Sequence, residues 1–213
     1  MDQNTARRAL IVVDVQNEYF DGKLRIEYPD PQVSLANIGR AMDAAHAAGV
    51  PVVIVQDIEP PHSPLFTQGS PGADVHASVA ARPHAHWVVK GMPSAFANTG
   101  LEAWLAERGI NTIAVVGYMT HNCDDSTVKH AVHAGLNVEL LGDATGSVPY
   151  ANSAGQATAE EIHRVLTVVM QSRFAAVMST DAWIAGLNGA PMPARDNIYA
   201  SNQRALELAR RAA

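Results

Sequence analysis

Apolar runs of strand length alternate with helix-period segments along almost the whole chain, a pattern best buried as a parallel sheet covered by helices on both faces. Strands are predicted near 9–14, 51–56, 86–89, 112–117, 136–141 and 174–178. Helical periodicity fills the gaps between them. Over 33–48 it puts Leu35, Ile38, Met42 and Ala45 on one face before Gly49-Val50-Pro51 stops the helix. A helix over 101–108 ends at Gly109, another over 126–134 ends at Gly135, and one over 157–170 carries Ile162, Val165, Leu166 and Val169. The expected fold class is α/β: a three-layer, Rossmann-like fold whose mostly parallel six-stranded sheet is flanked by helices on both faces. Residues 1–187 are read as one domain. Residues 188–213 are read as a linker followed by a terminal helix over 197–211, available as an oligomer contact.

Composition narrows the partners. With 213 residues, 47% hydrophobic and 17% charged, the chain is long enough for one domain with a sizeable core and too apolar for disorder. The 15 basic and 21 acidic residues leave a formal charge of -6, which argues against nucleic acid or an anionic membrane as the main partner. After Arg8 only about six apolar residues follow, too few for the core of a signal peptide, and no run reaches the ~18 apolar residues of a membrane helix. The single cysteine excludes an intrachain disulfide and fits a reducing compartment. A soluble, cytoplasmic protein is expected.

That cysteine, Cys123, stands where an apolar run breaks through Tyr118-Met119-Thr120-His121-Asn122 into a helix-like stretch. A strand-to-helix turn aims a side chain out of the sheet beside unpaired helix N–H groups, whose partial positive charge favours thiolate over thiol. A free cysteine is equally at home as a small buried hydrophobe. Two other side chains tip the balance. Asp14 and Lys90 each end a different predicted strand, where either alone reads as a turn residue or a solvated lysine. In an open parallel sheet the carboxyl ends of the strands converge on the crevice that binds ligands, so acid, base and thiol are expected to meet there.

One connection breaks the rhythm. From Asp57 to Ala85 there is no periodicity, and the stretch holds Pro60, Pro61, Pro64, Pro71, Pro83 and three histidines. A loop of this length in a compact domain is functional or disordered. Because it leaves the carboxyl end of a predicted strand, it is read as a pocket wall or lid.

Taken in order, Val13-Asp14-Val15-Gln16-Asn17, Gly69-Ser70-Pro71-Gly72, Val89-Lys90-Gly91-Met92-Pro93-Ser94-Ala95-Phe96 and Gly117-Tyr118-Met119-Thr120-His121-Asn122-Cys123 resemble the cysteine hydrolases of the isochorismatase-like superfamily. Members of that superfamily include nicotinamidases and other amidohydrolases, and the resemblance covers roughly residues 8–187. It implies that Asp14, Lys90 and Cys123 form a catalytic triad. It also implies a cis peptide between Tyr118 and Met119, with the backbone N–H groups of Met119 and Cys123 as an oxyanion hole. The chemistry implied is attack of the thiolate on a small amide or cyclic amide, through a thioester, with no cofactor. A homodimer or larger homo-oligomer is expected as well. Tyr19 and Phe96 match pocket positions of the family, and Phe20, Phe66, Tyr118 and His121 are further candidates for touching substrate.

Two departures from the pattern matter. Where metal-dependent nicotinamidases carry histidines, this chain has Asp57-Ile58-Glu59-Pro60-Pro61-His62, so Asp57, Glu59 and His62 are metal-ligand candidates but hydrolysis without a metal is expected. Asp124 and Asp125 directly follow the cysteine. They suit the positive end of a helix dipole, or a cationic group on the substrate. The rival functions are an isochorismatase-type vinyl-ether hydrolase, in which Cys123 would be idle, and a non-catalytic binding or redox-sensing protein on the same fold.

Overall fold

A computed structural model describes residues 6–212. The opening residues, which enter the signal-peptide reading, lie outside the described part. The chain runs β1 (Arg8–Val13), α1 (Pro31–Ala47), β2 (Val52–Asp57), α2 (Ala77–Ala80), β3 (His86–Lys90), α3 (Leu101–Glu107), β4 (Thr112–Tyr118), α4 (Cys123–His133) and β5 (Asn137–Gly146). It continues through β6 (Tyr150–Asn152), β7 (Gly155–Ala157), α5 (Ala159–Arg173), β8 (Ala176–Met178), α6 (Thr180–Leu187) and α7 (Ile198–Ala212). Among the described residues no helix is long and apolar enough to cross a membrane.

All six strands expected from the apolar runs are present, and every pairing between them is parallel, in the order β3-β2-β1-β4-β5-β8. Alternation along β1 shows how both faces are covered. Leu10 and Val12 enter a core with Ile38 and Met42 of α1 and Trp183 of α6, while Ala9, Ile11 and Val13 enter the opposite core with Leu101 and Leu105 of α3 and Val128 of α4. Helix ends follow local chemistry. Asp30 caps α1 through the Gln32 N–H with Pro31 at its first turn, and Thr158 and Glu161 form a reciprocal capping box on α5.

Several elements depart from the expectation. β5 runs on to Gly146 rather than stopping near 141, and α2, the short antiparallel pair β6–β7 and the helix α6 have no counterpart in the sequence pattern. The β6–β7 hairpin is mostly exposed and polar, so it carries no apolar alternation. α7 lies against α5, and the preceding linker is tied down where Gln171 donates to the Ala194 carbonyl and Asp196 N–H to the Gln171 carbonyl.

This strand order places the chain reversal between β1 and β4. From β1 the sheet grows outward to β2 and β3 in one direction, and from β4 to β5 and β8 in the other. At such a switch point the connections leave to opposite faces and open a crevice at the carboxyl ends. Val13 and Gly117 pair at that edge. Gly117 has φ +120, and a Cβ there would lie 2.7 Å from the Val13 nitrogen and overlap its carbonyl oxygen, so only glycine fits.

Candidate active site

Four strands deliver one charged or reactive group each to the crevice. Asp14 follows β1 in a left-handed conformation, φ 49, which ends the strand and is tolerated by aspartate better than by most residues. Asp57 ends β2 and pairs in register with Lys90, which ends β3. Cys123 opens α4 after β4 and the turn 119–122. Lys90 therefore starts two strands away from β1, and its long side chain crosses the end of β2 to reach Asp14.

The ammonium sits at the centre. Lys90 Nζ is 2.7 Å from Asp14 Oδ2, 3.4 Å from Asp57 Oδ1 and 3.4 Å from Cys123 Sγ, to which it donates. The Lys90 and Asp14 side chains are fully buried, and Cys123 is 3% exposed. The sequence placed Asp14, Lys90 and Cys123 together, and the structure does bring them together. It also adds Asp57, whose carboxylate turns toward Lys90.

Burial dominates the protonation of this group. Desolvation pushes the Asp14 carboxyl up to about 6, with Lys90 pulling it down and Asp57 pushing it up again. Burial also raises the Cys123 thiol, assisted by Asp14 and opposed by Lys90. For Lys90, burial works against the charge, but Asp14, Cys123 and Asp57 outweigh it and hold the amine protonated. Burial thus favours the thiol, against the partial charges of the helix N-terminus, while Lys90 stays paired with Asp14.

The turn before Cys123 shapes its other side. The Tyr118–Met119 peptide is cis, as the resemblance implies. The Met119 carbonyl accepts the N–H groups of Asn122 and Asp124, and Thr120 N–H donates to the Gly146 carbonyl. Among the described residues the N–H groups of Met119 and Cys123 have no backbone acceptor. Gln16 locks the neighbouring elements: its side-chain amide donates to the Asp57 and Ala73 carbonyls, and its oxygen accepts the Asp57 N–H at 2.9 Å. The long loop is thereby anchored to the end of β1.

The aromatic candidates divide. Tyr19 packs against Phe66 and Tyr118 with ring centroids 5.2 and 5.3 Å apart, and Phe20 meets Tyr118 edge-on, so these four form one cluster. Within it Tyr118 is fully buried with its hydroxyl on Ser34 Oγ, which makes it a core anchor. Phe96 is buried in the core cluster that includes Cys123 and stacks on His130. His121 has Nδ1 3.0 Å from Ser147 Oγ and stacks edge-on with Tyr150 of β6. Burial holds it down to about 4 despite Asp125, so it is neutral. Asp57, Glu59 and His62 do not gather: Asp57 faces Lys90, the Glu59 backbone pairs with Thr67, and His62 lies exposed in a turn. Among the described residues no group of three metal-ligating side chains is found.

Comparison with known proteins matches the isochorismatase domain over residues 8–182. The chain belongs to the isochorismatase family. A crystal structure of an isochorismatase-like protein from Burkholderia xenovorans is 67% identical, with a TM-score of 0.94 over 98% of this chain and 100% of the other. The Bacillus subtilis isochorismatase family protein YddQ is 31% identical over 83% of this chain and 98% of its own length. The ureidoacrylate amidohydrolase RutB of Methylobacterium radiotolerans is 29% identical over 84% of this chain and 78% of its own length. The chain is accordingly a member of a hydrolase family.

Proposed function

We propose that this protein is a cysteine-dependent amidohydrolase that cleaves a C–N bond of a small amide or cyclic amide through a thioester. One observation carries the reading: a buried lysine 2.7 Å from a carboxylate and 3.4 Å from the only thiol. RutB, an amidohydrolase by name, supports the class of bond broken.

In this reading Asp14 accepts the Cys123 proton as sulfur attacks the carbonyl carbon. The carbonyl π pair moves to oxygen, where the Met119 and Cys123 N–H groups receive it. Asp14 then gives the proton to the leaving nitrogen as the C–N bond breaks, and an acyl-thioester remains. A water molecule, deprotonated by Asp14, attacks that carbonyl. The C–S bond breaks, Cys123 recovers its proton from Asp14, and the carboxylic acid leaves, losing its remaining proton to solvent or to the released amine. Lys90 stays charged throughout, holding Asp14 and balancing the sulfur as it becomes anionic. These steps use protein groups and water alone.

Ammonia release from a panel of small carboxamides, ureido compounds and cyclic amides tests the reading. Release above the uncatalysed rate, lost in Cys123→Ala, is expected. Hydrolysis that survives that substitution would overturn it. We also infer a homodimer or larger assembly in a reducing compartment such as the cytoplasm. α7 presents exposed Ile198, Tyr199, Leu206 and Leu208, and a thiol nucleophile must stay reduced. Light scattering at micromolar concentration should give at least twice the chain mass; a monomer would contradict the assembly.

A further inference from the structure

Every buried side-chain polar atom that lacks a hydrogen-bond partner among the described residues belongs to Asp14, Asp57 or the stretch 120–125. Asp14 and Asp57 at least face the Lys90 ammonium. The others flank the nucleophile within one short stretch: Thr120 Oγ1, His121 Nε2, both oxygens of Asp124, and Asp125 Oδ1. Thr120 and Asp124 are fully buried. The other oxygen of Asp125 is taken by Lys129 at 2.7 Å.

Native proteins leave few such atoms, and a carboxylate without a donor is the costliest kind. When ionised, the carboxylate oxygens only accept, while the Thr120 hydroxyl can donate or accept and the role of His121 Nε2 follows its tautomer. At the carboxylates the deficit is one of donors and of positive charge. Lys90 cannot supply it, because its ammonium is already shared between two carboxylates and the thiol.

Resting on the hydrolase reading above, we propose that Asp124, aided by Thr120, recognises a protonated amine on the substrate. The site would then take small cationic amides in preference to neutral or anionic ones. Asp124 couples electrostatically to Asp14 and Lys90, so a charge it reads would lie near the scissile carbonyl, and amides with an amine one to three carbons from that carbonyl are the class to try. Burial, then Asp14, hold the Asp124 carboxyl well above its usual range, with Lys90 opposing, and a bound cation would draw it back.

The test separates binding from turnover. Calorimetry on the Cys123→Ala protein would compare glycinamide, β-alaninamide and 4-aminobutanamide with propanamide, butanamide and pentanamide, their neutral counterparts. At least one amine should bind tenfold or more tighter than its counterpart, about 1.4 kcal/mol. Asp124→Asn, added to the same protein, should cut that preference to threefold or less. If no amine outbinds its counterpart, or if the preference survives Asp124→Asn, the proposal falls. The unsubstituted series decides the first point even if the Asn variant fails to fold. Ammonia release by the wild-type protein is read separately. Charge preference without hydrolysis would sink the catalytic reading alone, and hydrolysis without charge preference would sink this one alone.

Discussion

At the amino end of the sheet, the Arg8 guanidinium meets the Glu139 carboxylate through three hydrogen bonds of 2.9–3.1 Å, and Trp183 Nε1 donates to Glu139 at 2.8 Å. At the carboxyl end, one ammonium faces Asp14 and Asp57, while both oxygens of Asp124 have no partner. Both sets are largely buried. A charge kept for structure is matched by its own chain, because an unmatched one costs several kcal/mol. A charge kept for a reaction is left partly unmatched, so that substrate or transition state completes it. The under-satisfied end is where the three sequence-predicted reactive residues lie.

Four outcomes would break or sharpen that contrast, the largest first. Asp14→Asn and Lys90→Ala should each lower kcat by at least about 100-fold on any amide found in the panel, since one moves the proton and the other holds the charge. A loss below tenfold in steady-state kinetics would deny them those roles. Next, kcat/KM should fall about tenfold per pH unit below about 6, where the raised Asp14 becomes protonated and can no longer accept the thiol proton. Asp57→Asn removes a charge that raises Asp14, so the same limb should move to lower pH.

The other end should behave differently. Arg8→Met strands Glu139 and should lower stability in denaturant by about 3 kcal/mol, yet leave kcat/KM within about twofold. An activity loss as large as that of Lys90→Ala would show that the two ends are not separable. The smallest effect is expected from prolonged dialysis against a strong chelator, which should leave hydrolysis unchanged because Asp57 is engaged by Lys90 and no three metal-ligating side chains gather among the described residues. Loss restored by zinc, manganese or iron would show that the loop carries a working metal site.

Periodicity and strand-end chemistry were enough to read the sheet and the meeting of Asp14, Lys90 and Cys123, because each lies at the boundary of an apolar run. Other features had no such signature. β5 extends through Gly142 and Asp143, which break the apolar pattern, and its pairing with β4 resumes after a register shift at Thr145 and Gly146. α6 is short and nearly apolar throughout, so it shows no face. Asp57 was legible as a ligand type but not as a partner of Lys90, which depends on β2 and β3 lying side by side in register. Asp124 suited the helix dipole on sequence grounds, yet its full burial follows from how α4 packs on β4. The pull of the helix N-terminus on the thiol is opposed by burial, and sequence does not show how completely water is excluded.

The most direct test is alkylation. The wild-type protein would be treated with iodoacetamide in steps, the fraction of Cys123 modified read by mass spectrometry, and hydrolysis of the best panel amide measured at each step. Activity should fall in proportion to the modified fraction and vanish at full modification. Undiminished turnover with Cys123 quantitatively alkylated would contradict nucleophilic catalysis by this residue.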